Sequence, residues 1–148
     1  NILATLLLVA LLAYQFSLPS EALWTNSSVE RILGLTTFLG GIHLLRVAFR
    51  SYNSAEFLGL KTTENDFSEL RQDGLLQYVR HPLYSATLLL LWGAFLIENT
   101  RSMLTMSLAL TLYLFLGIYW EEKKLVAAHG DAYRAYRKRV PMLIPPLL

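Results

Sequence analysis

The chain has 148 residues, of which 54% are hydrophobic and 16% are charged, whereas ordinary soluble domains carry about 25% charged residues. It contains no cysteine, which excludes a disulfide framework and thiolate metal ligands, and we expect no metal site. The net charge of +2 is small, and we expect no nucleic-acid partner. The length predicts one domain, covering residues 1–148.

Four apolar stretches run through the chain, at 2–16, 32–49, 83–97 and 103–120, with almost no ionisable side chains. A helix that crosses a bilayer needs about 20 residues, so the third stretch must extend into its flanks. The first is short because the sequence begins at Asn1 without a methionine, which predicts that upstream residues were trimmed or are missing. The stretches predict an all-α integral membrane protein with about four transmembrane helices.

Lysine and arginine side chains are unevenly distributed between the connections. They concentrate in the loop 50–82 and in the tail that begins at Lys123, whereas the other connections carry only Arg31 and Arg101. The positive-inside rule places the basic loop and the tail in the cytoplasm. The sequence therefore predicts a multi-pass protein of the bacterial inner membrane or an equivalent membrane, with both ends cytoplasmic.

The second predicted helix covers 29–49 and contains small residues that favour helix packing. Gly34, Gly40 and Gly41 permit close approach by a neighbouring helix, as small residues do in membranes. After this helix, the sequence Asn-Ser-Ala-Glu at 53–56 resembles a capping box. It predicts a short helix in the membrane interface.

Three basic side chains follow one another near the end of the second helix. His43, Arg46 and Arg50 have helical spacing and share one stripe. Two interpretations remain open. The stripe is either a basic helix end whose side chains reach toward the membrane surface, or one polar wall of a substrate pocket entered from the cytoplasm.

The last two crossings have recognisable ends. Pro82 suits the first turn of a helix, where its missing N–H costs nothing, so the third crossing is predicted to begin there. Residues 98–101 form a tight turn, and Ser102 caps the fourth crossing. That helix has no stop signal before Gly130, which is expected to terminate it in the αL conformation.

A short interfacial helix is predicted after the glycine. Asp131 is its expected N-cap, and Tyr133, Tyr136 and Val140 share one of its faces. Packing is the expected role of this face, with Tyr136 as an additional candidate for the substrate pocket. The basic side chains lie elsewhere on the helix, which is the pattern of an amphipathic helix lying in a membrane interface.

Two charged motifs lie at the same predicted depth of the membrane. The run Arg80-His81-Pro82-Leu83-Tyr84 opens the third crossing, and Glu121-Glu122 follows the fourth apolar stretch. Ionisable groups at the edge of a bilayer are costly, and by default they indicate a functional site.

These motifs belong to a longer pattern between residues 70 and 145. It comprises Leu70-x-x-x-Gly74, the Arg80–Tyr84 run, Glu121-Glu122, Leu125, Gly130-x-x-Tyr133-x-x-Tyr136 and Val140-Pro141-x-x-Ile144-Pro145. In order and spacing it resembles the isoprenylcysteine carboxyl methyltransferase family, together with related phospholipid methyltransferases, membrane thiol methyltransferases and NnrU-type proteins. The resemblance implies a methyltransferase that uses S-adenosylmethionine, with the cofactor-binding half at about 68–145 and the C-terminal segment folded over the cofactor.

The resemblance also implies which residues bind the cofactor. They are Leu70, Gly74, Tyr78, Val79, Arg80, His81, Pro82, Tyr84, Glu121 and Glu122. Their chemistry fits, because a glutamate can accept a charge-assisted hydrogen bond from the cofactor's ammonium group. Arg80 and the free N–H groups of a helix N-terminus suit its carboxylate, and Tyr78, Tyr84 and His81 offer ring faces or edges to the adenine.

Two positions depart from the family pattern. Ala86 stands where glycine is common, which retains a small residue. Enzymes acting on prenylated cysteine usually carry an arginine shortly before the paired glutamates, whereas residues 116–120 here contain no basic side chain. Arg46 or Arg50 could replace it from the second helix. The acceptor therefore stays open between an isoprenylcysteine carboxylate, a phospholipid amine and a thiol, and no catalytic residue or oligomeric state is predicted.

Two other classes of function compete with the methyltransferase hypothesis. A haem-binding isomerase or redox protein of the NnrU type would use His43 and His81 as axial ligands. A non-enzymatic membrane scaffold would bind no cofactor at all. Visible absorption and titration with S-adenosylhomocysteine distinguish these possibilities.

Overall fold

The computed structural model describes Tyr14, residues 21–51, Leu70 and residues 72–145. This part of the chain is helical, comprising α1 (Ser28–Ser51), a 3-10 turn (Gly74–Gln77), α2 (Pro82–Glu98) and α3 (Arg101–Arg139). Its only β-type pairing is an isolated bridge between Ala22 and Thr100. Most of the predicted first crossing at 2–16, and the predicted interfacial helix that begins with the capping box at 53–56, lie outside the described residues.

Helices α1 and α2 pack closely through glycines. A Cβ added to Gly34 would lie 2.9 Å from Cβ of Leu96, and one added to Gly93 would lie 2.6 Å from the backbone nitrogen of Phe38. A Cβ on Gly41 would lie 3.1 Å from the carbonyl oxygen of Ala86, whereas Gly40 has nothing nearby. Two of the three glycines predicted to permit close packing therefore do so.

The residues at its two ends explain where α2 begins and where it ends. Pro82 occupies the first turn, as predicted. Asn99 ends the helix in the αL conformation, and Thr100 caps α3 by accepting a hydrogen bond from the backbone N–H of Met103 at 3.2 Å. The prediction that Ser102 caps this helix was therefore wrong, because the tight turn that the sequence predicted places Thr100 at the N-cap.

The turn after α2 is bound to the segment before α1. The side-chain amide of Asn99 donates to the carbonyl of Trp24 at 2.6 Å, and the backbone carbonyl of Asn99 accepts from the backbone N–H of Leu23 at 2.9 Å. The side-chain amide of Asn26 donates to the carbonyls of Leu96 and Ile97 at 3.2 and 3.0 Å. One end of the helical assembly is thus fixed by backbone-directed hydrogen bonds.

Two of the described helices are long and apolar enough to cross a membrane, over Ser28–Arg50 and Arg101–Arg139. Only 17% and 11% of their most apolar windows are buried, so these helices are not the core of a soluble fold, whose apolar faces are buried. Helix α2 is apolar but shorter. The prediction of about four crossings is met in part, by two candidate spans and one shorter apolar helix.

Helix α3 is longer than a bilayer requires. At about 1.5 Å per residue, Arg101 and Trp120 lie about 29 Å apart, close to the roughly 30 Å of a hydrocarbon core. Next to Trp120, the Lys123 ammonium lies over the rings of Tyr119 and Trp120 at 4.6 and 5.0 Å from their centroids. Aromatic and basic side chains of this kind are typical of a membrane surface.

A break at Gly130 divides α3 into two arms. Gly130 has φ 54° and ψ −125°. The predicted break is thus confirmed, but the conformation is not αL, because ψ has the opposite sign. The second arm turns back along the first, so that Tyr133, Tyr136 and Val140 form a core cluster with Leu70, Leu125 and Val126. The shared inward face predicted for the final helix is therefore observed.

Candidate cofactor-binding site

The segment before α2 is held in place by the end of the chain. The backbone N–H groups of Arg80 and His81 donate to the carbonyls of Pro141 and Met142 at 3.0 and 3.1 Å. The Ser85 hydroxyl lies 2.7 Å from the carbonyl oxygen of Leu143, to which it donates. These bonds fix the Arg-His-Pro segment against the C-terminal residues.

The two charged motifs of the sequence meet at this point. Nη1 of Arg80 lies 3.0 Å from Oε1 of Glu122, and Nε2 of His81 lies 3.4 Å from the same oxygen. The Arg80 and Glu122 side chains are only 9% and 12% exposed. The beginning of α2 and the first arm of α3 are therefore joined by a nearly buried ion pair.

Arg137 adds a third cationic group around the same carboxylate. Its Nη1 lies 3.4 Å from Oε2 of Glu122, from the second arm of α3. Glu122 thus connects three parts of the chain: the segment before α2 and both arms of α3. The neighbouring Glu121 is 46% exposed, and its Oε2 lies 3.7 Å from Nδ1 of His81.

Several buried polar atoms at this site lack a well-aligned hydrogen bond among the described residues. They are Nε and Nη1 of Arg80 and the hydroxyl of Tyr133, although Nη1 lies 3.0 Å from Glu122 and the Arg80 guanidinium is near enough to the Tyr133 phenol to oppose the rise of its pKa. Tyr133 is 1% exposed. Buried polar groups are nearly always hydrogen-bonded, and exceptions need an explanation. A bound polar ligand would explain these.

The electrostatics of the site follow from its burial. Burial lowers the pKa of His81 below its usual value of 6.5, although the carboxylates of Glu121 and Glu122 act in the opposite direction. Burial also raises the pKa of the Tyr133 phenol, and the negative charge of Glu122 adds to this effect. Burial therefore favours the neutral form of both side chains.

Only some of the other residues predicted to bind the cofactor lie next to this ion pair. Val79 and Pro82 are buried beside it, and Tyr84 packs edge-on against His81 with ring centroids 5.5 Å apart. Tyr78 is exposed, and Gly74 opens the 3-10 turn with φ 59°. Leu70 packs instead against the core cluster of the C-terminal arm.

The residues predicted for a substrate pocket differ in their exposure. His43, Arg46 and Arg50 are all exposed on α1. Tyr136 is buried in the core cluster, and its hydroxyl donates to the carbonyl of Leu76 at 2.6 Å. This contact gives Tyr136 an evident structural role, whereas the stripe on α1 stays a predicted pocket wall.

Sequence reasoning missed the contributions of Arg137, Tyr133 and Ser85 to the site. A usable signal existed for the first two. When a chain turns back at Gly130, residues at equal distances before and after the turn face each other. This symmetry pairs Glu122 with Arg137 and brings Tyr133 opposite Val126.

The helices and the charged cluster at their ends define an α-helical membrane protein with a polar site at the helix ends. A model of the phospholipid methyltransferase family matches residues 29–132. The chain therefore belongs to this family of methyltransferases, and the resemblance predicted from the motifs is confirmed. No solved structure matches the chain.

Relatives with established names agree with this assignment. Methanethiol S-methyltransferase of Crocosphaera subtropica and methanethiol S-methyltransferase 2 of Bradyrhizobium diazoefficiens are each 31% identical, over 97% and 99% of the chain. Protein-S-isoprenylcysteine O-methyltransferase of Schizosaccharomyces pombe is 42% identical over 49% of the chain and 31% of its own length. The chain spans 59% and 58% of the length of the two bacterial relatives.

The alternative functions gain no support from these matches. In the haem hypothesis His81 would be an axial ligand, but each of its ring nitrogens faces a carboxylate. The other proposed ligand, His43, is exposed on α1. Membership in a methyltransferase family likewise speaks against a scaffold without enzymatic function.

Proposed function

We propose that the chain carries out methyl transfer from S-adenosylmethionine at the surface of a membrane. The observation that carries this proposal is the pairing of opposite charges at the ends of α2 and α3. Two buried nitrogens of Arg80 lack a well-aligned hydrogen bond among the described residues, and the half-exposed Glu121 approaches His81 in the same cluster. A zwitterionic amino-acid group complements such an arrangement.

The amino-acid part of S-adenosylmethionine has this character. Its carboxylate would accept hydrogen bonds from Arg80 and from Tyr133, whose buried donors would then be satisfied. Its ammonium group would bind to Glu121, because Glu122 is already surrounded by Arg80, His81 and Arg137. This division of roles refines the resemblance, which assigned both glutamates to the cofactor.

S-adenosylmethionine, when bound, supplies a methyl group activated by an adjacent sulfonium. The chain's own contribution is orientation and exclusion of water. The carbonyls of Pro141 and Met142 hold the Arg80 segment rigidly, and the core cluster around Tyr136 closes the C-terminal arm over it. Holding two reactants in line can supply roughly 7–11 kcal/mol of a reaction barrier.

A small thiol is the acceptor that we favour. The relatives that match nearly the whole chain are named methanethiol S-methyltransferases, whereas the match to the isoprenylcysteine enzyme covers half of it. The absence of a basic side chain at 116–120 also favours an acceptor without a carboxylate. At Gly117 a Cβ would lie 3.6 Å from the Tyr84 hydroxyl, so this stretch touches the site.

The proposal includes a topology. We propose a single domain over residues 1–148, multi-pass in the membrane, with the site and the C-terminus on the cytoplasmic side. The basic loop 50–82 and the tail support this orientation through the positive-inside rule. Labelling of single cysteines introduced at positions 25 and 129 in intact cells would test it, because only the first should react with an impermeant reagent.

Cofactor binding is tested by calorimetric titration of the purified chain with S-adenosylhomocysteine. The wild type should bind, and Glu121→Gln should weaken binding about 10- to 100-fold, the value of a hydrogen bond to a charged group. Glu21→Gln is the matched control, since Glu21 is exposed at the opposite end beside Arg101. Absence of binding to the wild type would refute the cofactor assignment.

The acceptor is tested separately with radiolabelled S-adenosylmethionine. Methanethiol, a prenylated cysteine analogue and phosphatidylethanolamine are offered to the same preparation. Transfer to the thiol in preference to the other two supports the proposed acceptor. Transfer mainly to the prenylated cysteine or the lipid amine would overturn the choice of acceptor, while retaining the cofactor assignment.

A further inference from the structure

A basic groove is lined by residues of both arms of α3. It does not include Arg80 or Tyr133, the proposed donors to the cofactor. It encloses about 330 Å³ and is lined by Val126, Arg134, Arg137 and Lys138. Arg134 is paired with Asp131 at 2.7 Å, and Arg137 is paired with Glu122 at 3.4 Å. The groove thus holds three cations around an apolar side chain, with two carboxylates at its margin.

The groove lies at the height of lipid headgroups. Lys123 over the rings of Tyr119 and Trp120 marks the membrane surface. At about 1.5 Å per residue, Val126 lies about 9 Å beyond Trp120 along α3, and the contact with Glu122 returns Arg137 to about 3 Å beyond it. The headgroup layer on each side of a bilayer is roughly 5–7 Å thick, so groove and layer overlap.

From this coincidence of charge and height we propose that the groove binds the phosphodiester headgroup of an anionic phospholipid. Arg134 and Lys138 contact the phosphate, whereas Val126 lines the end of the groove that lies farther from the bilayer. Polybasic segments gain about 1 kcal/mol per lysine or arginine next to an anionic membrane surface. A lipid without an amine, such as phosphatidylglycerol, satisfies this site without being a methyl acceptor.

The arrangement of the second arm supports a lipid over a soluble partner. Its inward face is occupied by the core cluster of Tyr133, Tyr136 and Val140, so only the basic face remains available. Because the arm folds back toward the membrane surface, that face lies beside the bilayer. Arg137 links the groove to Glu122, which places a bound headgroup next to the site described above.

The test measures binding of fluorescent short-chain phosphatidylglycerol to the purified chain in uncharged detergent. The wild type should prefer it to phosphatidylcholine at least tenfold. Arg134→Gln/Lys138→Gln should reduce the affinity at least fivefold, whereas Arg134→Lys/Lys138→Arg should retain it. Arg31→Gln/Arg101→Gln is the matched control, since it removes the same charge from the opposite end and should bind like the wild type.

Other outcomes would overturn the proposal. Equal binding of the two lipids by the wild type would show that charge at this groove does not recognise the headgroup. If the affinity for phosphatidylglycerol fell equally in the control and in the groove variant, net charge alone would explain the binding. If millimolar inorganic phosphate competed as effectively as unlabelled lipid, the groove would be assigned to free phosphate instead.

Discussion

Glu122 and Arg137 lie on opposite sides of the break at Gly130, and Oε2 of the first lies 3.4 Å from Nη1 of the second. In a straight helix the two residues would be about 22 Å apart. The turn at Gly130 makes the contact possible, and it brings the C-terminal arm against the motif that opens α2. The site is therefore assembled by a turn as much as by the helix ends.

Replacement of Arg137 should show how much this contact contributes to ligand binding. Arg137→Gln is expected to weaken S-adenosylhomocysteine about two- to fivefold, because the guanidinium is half-exposed and exposed ion pairs contribute about 0.2–1 kcal/mol. Calorimetry in uncharged detergent measures the change. Arg134→Gln is the control, because that side chain pairs with Asp131 and not with Glu122, and equal losses in both variants would contradict the assignment.

The turn itself can be tested at Gly130. With φ 54° and ψ −125°, the glycine has a conformation that a side chain disfavours by about 1–3 kcal/mol. Nothing lies within 4 Å of an added Cβ, so Gly130→Ala should destabilise the chain through its backbone alone. We expect a lower melting temperature together with weaker cofactor binding.

Gly40 provides a matched control for that substitution. It also has nothing within 4 Å of an added Cβ, but it lies inside α1, where alanine is favoured over glycine by about 1 kcal/mol. Gly40→Ala should therefore leave the melting temperature unchanged or raise it. If both variants melted alike, the positive φ at Gly130 would not be important for stability.

Local signals predicted the ends of the helices better than they predicted the site. Pro82, the turn after Glu98 and the break at Gly130 were readable, because each depends on a few neighbouring residues. The N-cap of α3 was predicted at Ser102 and is Thr100. Local sequence could not distinguish them, because both residues can cap a helix. The contact of Glu122 with Arg137 was missed because it depends on the direction of the chain after Gly130.

The family pattern contained more packing than chemistry. Leu70, Leu125, Tyr133, Tyr136 and Val140 stand in the motif because they form one core cluster with Val126. Spacing alone could not distinguish these roles, since a buried tyrosine and a ligand-binding tyrosine occupy similar positions in a sequence. Only their neighbours in space separate Tyr136, whose hydroxyl is bonded to Leu76, from Tyr133.

The Ser85 side chain adds a hydrogen bond to the backbone bonds that hold the C-terminal residues against the Arg80 segment. The Ser85 hydroxyl lies 2.7 Å from the Leu143 carbonyl and 3.1 Å from that of His81. Ser85→Ala leaves a partly buried carbonyl unsatisfied, at a cost of about 1–3 kcal/mol. Hydrogen exchange at Met142 and Leu143 should therefore become faster.

Thr87→Ala is the control for this variant. The Thr87 hydroxyl donates to Leu83 within the same helix, so its loss should not affect the tail. Unchanged exchange in Ser85→Ala, or an equal increase in both variants, would show that the hydroxyl of Ser85 does not hold the C-terminal segment.

Stability should fall as the pH is lowered, because His81 is buried as the neutral imidazole. Its pKa in the folded chain lies below the usual value of 6.5, so the unfolded chain takes up the proton first. The stabilisation is present above pH 6.5 and is lost as the pH falls through the lower folded pKa. Thermal unfolding in detergent between pH 7.5 and 5 measures this slope, and His81→Gln should flatten it. A slope that is the same in the variant would assign the acid sensitivity to other groups.

Removal of the Tyr133 hydroxyl should affect the melting temperature and the affinity for the cofactor in different ways. In the absence of ligand, Tyr133→Phe removes a buried polar group that lacks a well-aligned hydrogen bond among the described residues, although the Arg80 guanidinium lies near it. It should therefore leave the melting temperature unchanged or raise it. If the hydroxyl donates to the cofactor carboxylate, the same variant should bind S-adenosylhomocysteine about tenfold more weakly. Tyr136→Phe should behave in the opposite way, because it breaks the bond to Leu76 and lowers the melting temperature without a direct effect on the ligand. A Tyr133→Phe variant with unchanged affinity would show that this hydroxyl does not face the bound cofactor.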